Sequence, residues 1–240
     1  MNIELFKKEI ERYLKQIDIT INEEQSNQFH EYMKLLIEWN NKINLTAIVE
    51  ENEIIIKHFV DSLTINKFIN KNTTLIDVGT GAGFPGIPLK ILRPDLNITL
   101  LDSLNKRTKF LNEVKNRLNL ERIEIIHGRA EDIGKNKKYR EKFDYATSRA
   151  VANISTLSEY LLPLVKKDGK CIYMKGSDVK EELEKGKKSI NVLGGDIYKK
   201  EEFYLPGTDI KRNVIIIEKK ETTPSKYPRK AGTPSKEPIN

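Results

Sequence analysis

Four glycines and two carboxylates are the residues best placed to hold a ligand. The stretch LIDVGTGAGFPGIPL, residues 75–89, puts Gly79, Gly81, Gly83 and Gly86 within eight positions, just after an apolar run. Glycine loses the most backbone entropy on folding, so such a cluster marks tight turns or a ligand lying against the main chain. Gly81-x-Gly83-x-x-Gly86 matches the dinucleotide fingerprint. Asp77, just ahead of the glycines, is a poor neighbour for a pyrophosphate, and Phe84-Pro85 stands where a phosphate would approach. S-adenosylmethionine fits these residues better. Backbone N–H groups at the following helix start can hold its carboxylate, and Asp77 can favour its cationic end. Asp102 follows Gly79 by 23 residues at a strand end, where a carboxylate can accept from both ribose hydroxyls. The competing role for Asp102 is an acid at the head of a helix.

The methyl acceptor narrows by elimination. Methylation at pyrimidine C5 uses a cysteine nucleophile, and the lone cysteine, Cys171, falls in a strand pattern as a small buried residue. Methylation of the adenine amino group uses an Asn/Asp-Pro-Pro-aromatic motif after the fourth strand, where this chain has Thr147-Ser148-Arg149-Ala150. A ribose 2′-O site built on Lys-Asp-Lys-Glu would find Lys175, but Ser148 in place of the aspartate. Guanine N7 carries an in-plane lone pair and needs no general base. Holding it in line with the methyl group can contribute ~7–11 kcal/mol through proximity. Arg129, Arg149 and Arg212 each lie near a strand end, and arginine matches the guanine O6/N7 edge bidentately. Three other readings stay open: transfer to a small molecule or protein, an idle RNA-binding assembly factor, and a nicotinamide enzyme.

The elements that must position these residues read as an α/β fold. Residues 1–70 form an N-terminal helical extension. Thr20-x-x-Glu23 has the capping-box pattern, and Phe29, Tyr32, Met33, Leu36, Trp39 and Ile43 recur at helical spacing. A second helix is expected over 53–68. From Thr74, strands at 74–78, 97–101, 123–127, 143–147 and 170–175 alternate with helices. One helix starts near Pro85 and Pro88, and others span 105–118, 153–165 and 178–192. A closing antiparallel pair is expected at 203–205 and 213–218, after a turn at Gly194-Gly195. The alternation predicts a central, mostly parallel sheet flanked by helices. The sheet domain is expected over 71–220, followed by a basic, proline-rich tail, 221–240, that is extended and mobile and orders on a partner.

Composition bounds the classes. The chain is 38% hydrophobic and 32% charged, with a net charge of +7. It has no apolar run near the ~20 residues that span a bilayer, and its first residues lack the apolar core of a secretory signal. One cysteine excludes an internal disulfide and a cysteine-based zinc cluster. His30, His58 and His127 are too scattered for a metal site, and His58 reads as a satisfied histidine on a helix. A monomeric cytoplasmic protein is expected. Residues 211–240 carry eight Lys/Arg against three Glu, 8 − 3 = +5 of the net charge, and a second basic run spans 135–142. A polyanion is the partner this charge suits.

The chain resembles the bacterial small-subunit rRNA guanine-N7 methyltransferases, the glucose-inhibited division protein B family. The resemblance runs through WNNKINLTA at 39–47, HFVDSL at 58–63, DVGTGAGFPGIPL at 77–89, LLDSLNKRTKFL at 100–111, RAED at 129–132, SRAVA at 148–152, LPLVKKDG at 162–169 and KRNVIII at 211–217. The tail TPSKYPRKAGTPSKEPI also matches. It implies a class I, Rossmann-like fold, S-adenosylmethionine as cofactor, and one guanine of 16S rRNA near the decoding site as substrate, met in the small ribosomal subunit or an assembly intermediate. It further implies cofactor contacts at Gly79, Phe84, Asp102, Ser103, Leu104, Ala130, Glu131 and Arg149. Lys106, Arg129, Lys175 and Arg212 would then serve RNA or the transfer site.

Overall fold

The structure, a computed structural model, describes every residue except Ala150, Asp178 and Asn240. The expected helix start at Asp178, the Ala150 of two motifs and the last tail residue therefore lie outside the described residues.

Two long helices open the chain, α1 (Ile3–Leu14) and α2 (Glu23–Ile43). The capping box falls two residues later than the pattern at Thr20 predicts. The Asn22 side chain accepts from the Gln25 N–H, and Gln25 Oε1 accepts from the Asn22 N–H. The Gln25 amide also donates to the carbonyls of Ile91 and Leu92, so one side chain starts one helix and satisfies the end of another. The expected helix over 53–68 is broken into α3 (Glu51–Ile54), a π-helical turn (Ile55–Val60), α4 (Asp61–Leu63) and a 3₁₀ turn (Asn66–Phe68). A π turn inserts a residue into the helical ladder and re-aims the side chains that follow it.

The remainder alternates as β1 (Thr74–Val78), α5 (Gly86–Leu92), β2 (Asn97–Asp102), α6 (Asn105–Arg117), β3 (Ile123–His127), α7 (Ala130–Lys135), β4 (Phe143–Arg149), α8 (Ile154–Leu161), β5 (Val165–Lys175), α9 (Lys180–Val192), β6 (Gly195–Tyr204) and β7 (Lys211–Lys219). The described residues form a seven-stranded sheet in the order β3-β2-β1-β4-β5-β7-β6. β1 to β5 run parallel, β7 is antiparallel to β5, and β6 is antiparallel to β7. Helix α8 stops short of Pro163, and β5 begins at Val165, where a helix was expected to end. β6 is far longer than the expected 203–205 because its charged residues 199–202 hide an edge strand with one exposed face.

Strand order reverses between β1 and β4, and in open sheets the ligand crevice lies beyond the strand ends at that point. Apolar residues cover both faces of the sheet. Leu75, Ile98 and Leu100 join one buried cluster with the N-terminal helices. Ile76, Val78 and Leu101 join the other with α8 and α9. Asp77 alternates with Ile76 and Val78 and is fully buried, so it is a carboxylate within the core.

The tail is not an extended arm. Thr223, Tyr227 and Pro228 are buried, and residues 233–236 form a short helix, α10 (Thr233–Lys236). The guanidinium of Arg140 donates to the carbonyls of Thr223 and Tyr227 at 2.7 and 2.8 Å. Arg229 pairs with the buried Glu159 at 2.7 Å. Low hydrophobicity argues for mobility only where nothing else holds the backbone. Here charged side chains of the sheet domain do.

Candidate active site

The glycine loop follows β1. Gly79, Gly81 and Gly83 have φ of +68°, +63° and +103°, a region L-residues avoid. A Cβ on Gly83 would lie 2.6 Å from Ile87 and 2.8 Å from the Tyr32 hydroxyl, whereas a Cβ on Gly81 would meet nothing within 4 Å. Gly83 is thus required by packing, and Gly81 faces open space. Tyr32, wedged among Phe59, Phe84 and Phe110, donates its hydroxyl to the Ala82 carbonyl and clamps the loop from α2.

Two carboxylates fix the loop. Asp77 Oδ2 accepts from Thr80 Oγ1 at 2.6 Å and from the Gly86 N–H at 2.9 Å. Its Oδ1 is buried without a partner. Burial pushes Asp77 up to about 6, against the hydrogen bonds from Thr80 and Gly86. Asp102 Oδ2 accepts from the Gly81 N–H at 2.9 Å and from Arg107 at 3.3 Å, and its Oδ1 accepts from the Leu104 N–H at 2.9 Å. The helix-head role and the wall role of Asp102 therefore coexist.

Two lobes of a cleft open here. One, about 410 Å³, is lined by Leu45, Thr46, His58, residues 79–82, Phe84, Arg107 and Arg149. The other, about 380 Å³, is lined by residues 128–131 after β3, by Tyr160 and by tail residues. Gly79, Asp102, Ser103 and Val151 wall both. A third pocket, about 390 Å³, holds Lys57, Asp61, Met174, Lys175 and Arg212, and shares His58 and Arg149 with the first lobe. A larger cavity, about 760 Å³, lies between residues 16–19, 63–67 and the β6–β7 hairpin and includes none of these glycine-loop residues.

Arg149 is the hinge of the charged side. Its guanidinium sits 4.9 Å over the Phe84 ring. It donates to the Lys57 carbonyl at 2.9 Å, approaches Asp61 at 3.4 Å, and lies 3.0 Å from His58 Nδ1. Arginine has only donors, so His58 Nδ1 accepts and Nε2 carries the proton toward Thr46 Oγ1, 2.9 Å away. Burial and the nearby Arg149 push His58 down to about 3, so it is neutral. Asp61 also accepts from Arg212 Nε at 3.1 Å. Burial raises Asp61 while the two arginines oppose that shift, and burial lowers Arg149.

The expected residues are brought together in part. Gly79, Gly81, Phe84, Asp102, Ser103, Ala130, Glu131 and Arg149 wall the two lobes. Asp77 and Gly83 stand behind the loop and act through it, and Leu104 meets Asp102 by its N–H. Arg149, Lys175 and Arg212 converge on the third pocket, with Lys175 donating to the Ala152 carbonyl and Glu182. Arg129 does not join them: it lines the lobe beside Ala130. Lys106 lies outside these cavities and caps α2 through the Ile43 carbonyl at 3.0 Å. Thr46, Lys57 and Asp61 carry no glycine-like mark. The signal for them was a polar His58–Asp61 pair one helical turn apart in an apolar segment. Among the described residues, no group of His, Cys, Asp and Glu could hold a metal ion, and no helix is long and apolar enough to cross a membrane.

The cleft suits S-adenosylmethionine on its own features. Gly81 leaves room where any side chain would project, a buried carboxylate backs the loop, and the described residues lining the lobe at the glycine loop include no lysine to meet a phosphate. Comparison with known proteins agrees. Residues 25–206 match the family model GidB, described as rRNA small subunit methyltransferase G. The "Ribosomal RNA small subunit methyltransferase G" of Lactobacillus helveticus is 50% identical over 243 residues, covering 100% of both chains. The protein of the same name from Acetivibrio thermocellus is 55% identical over 222 residues, 92% of this chain and 91% of that one. Among solved structures, TYW2 of M. jannaschii in complex with AdoMet superposes with a TM-score of 0.53 at 14% identity, over 65% of this chain and 72% of that one, a likeness of fold.

Proposed function

The chain belongs to the GidB family, rRNA small subunit methyltransferase G, and on that premise we propose that it methylates N7 of one guanine of 16S rRNA near the decoding site. It is an S-adenosylmethionine-dependent methyltransferase of small-subunit rRNA. When bound, S-adenosylmethionine supplies a methyl group on a sulfonium whose carbon–sulfur electron pair leaves with the sulfur. In this reading Gly79, Gly81, Phe84, Asp102, Ser103, Ala130, Glu131 and Arg149 hold the cofactor. The third pocket, across the His58–Arg149 wall, takes the guanine. The substrate is the small subunit or its assembly intermediate, met in the cytoplasm.

The observation that carries the choice of N7 is the state of the ionisable groups between the two cavities. His58 has both ring nitrogens engaged, Asp61 lies between two arginines, and Glu182 is paired with Lys175. None is free to take a proton. A hydroxyl or an exocyclic amine must lose one, while guanine N7 attacks with a lone pair and loses none. What remains for the protein is to orient the ring and exclude water. Arg212 and Lys175 supply donors for guanine O6 or a flanking phosphate, leaving the N7 lone pair free to attack.

The test is methyl transfer from labelled S-adenosylmethionine to small ribosomal subunits lacking the modification, with the labelled nucleoside identified by mass spectrometry. A single N7-methylguanosine in 16S rRNA is expected. Label on a hydroxyl or an exocyclic amine would show that one of these engaged groups turns over as a base and would sink the N7 reading.

A further inference from the structure

The lobe beside β3 has a wall that the strand ends do not supply. Gly232, Ser235 and Lys236, from the tail, line it together with Asp102, Ser103 and residues 128–131. Three anchors hold this segment in place. The Gly232 N–H donates to Glu131 Oε1 at 2.8 Å, and Thr156 Oγ1 donates to the Pro234 carbonyl at 3.0 Å. Just upstream, the Arg229 N–H and guanidinium both donate to Glu159, a carboxylate with 0% exposure. Gly232 has φ +85°, the left-handed turn that brings the chain back over the lobe.

We propose that residues 232–236 are part of the cofactor site, a strap over the adenosyl end, with Ser235 and Lys236 as its side-chain donors to ring nitrogens or ribose hydroxyls. Neither side chain has a partner among the described residues. The tail's basic character then has a local use. Arg229 neutralises a buried acid, and Lys236 faces the cavity rather than forming part of an arm for RNA. The inference rests on reading this cleft as the S-adenosylmethionine site.

Calorimetric titration with S-adenosylhomocysteine tests it on three proteins: the full chain, the chain ended after Lys230, and Lys236→Ala. The shortened chain is expected to bind about 10-fold more weakly, the equivalent of one or two lost hydrogen bonds, and the alanine variant roughly 3-fold more weakly. The salt slope of rRNA binding should change by no more than about one contact. In the full chain, amide exchange of residues 231–237 should slow when S-adenosylhomocysteine binds, a readout independent of how the shortened chain folds. Equal affinities with unchanged exchange would overturn the strap while leaving the cofactor reading intact. A full chain that binds no S-adenosylhomocysteine would remove both.

Discussion

The two sides of the cleft are held by different forces. On the loop side, main-chain N–H groups of Gly81 and Gly86 are tied to the buried carboxylates of Asp102 and Asp77. On the other side, residues 57–61 are joined to the ends of β4 and β7 by charge, with Asp61 between Arg149 and Arg212. The loop side is set by backbone geometry and, in the proposed reading, positions the methyl donor. The charged side is only as firm as its balance of opposite charges. It assembles from segments about ninety and a hundred and fifty residues apart in the chain. Cofactor binding and acceptor binding should therefore fail separately.

The largest expected effect lies on the charged side. Asp61→Asn leaves two guanidinium groups without their shared acid and should cost about 3 kcal/mol, the low end for a broken buried pair because both arginines keep some exposure. Urea denaturation measures it, and an unchanged midpoint would mean that packing alone holds this wall. On the loop side, Gly81→Val puts a β-branched side chain into the open lobe at a positive φ. Cofactor affinity should fall by about 100-fold, roughly 2.7 kcal/mol. Folding stability should fall by only about 1–2 kcal/mol. Wild-type affinity in that variant would move the cofactor elsewhere.

The two sides should also answer pH in opposite directions. The folded-state value of Asp77, about 6, lies above its ordinary 3.8. Its contribution is fully present below pH 3.8 and is lost as pH rises through 6, on the order of 2 kcal/mol between pH 4 and 7. Asp77→Asn should abolish that loss. The folded-state value of His58, about 3, lies below its ordinary 6.5. Its contribution is present above pH 6.5 and is lost as pH falls, about 2 kcal/mol by pH 5. His58→Gln should flatten that acid limb. Melting curves from pH 4 to 8 separate the two, and parallel profiles for both variants and the parent would erase the distinction. The smallest effect is at Lys106. Replacing it with alanine should cost less than about 0.5 kcal/mol as a lost helix cap, and should lower the salt slope of rRNA binding by about one if it also meets phosphate.

What could be read in advance follows the same division. The glycine loop, Asp102 and the parallel strands are local patterns, and strand positions 74–78 and 123–127 match the observed β1 and β3. The start of α2 was misplaced because Thr20-x-x-Glu23 and Asn22-x-x-Gln25 both satisfy the capping rule. Gln25 prevails, and it also meets the end of α5, a contact 66 residues away. Arg149 was legible as a basic strand end. Its stacking on Phe84 and its bond to His58 were not: the first joins the glycine loop to the end of β4, far apart in the chain, and the second meets a residue in a π turn that no local periodicity announces. The tail misled for a similar reason. Its few apolar residues predict mobility, but the groups that fix it, Arg140, Glu159 and Glu131, lie elsewhere in the chain.

Residues 232–236 are synthesised after every other segment that walls the cleft. On a translating ribosome the glycine loop and the ends of β1 to β4 emerge well before this segment. The nascent enzyme would then carry a cleft open at the adenosyl end. Competence to use the methyl donor would then arrive in two stages, the loop and strand ends first and the strap after them, so that the order of synthesis becomes the order in which the site is completed.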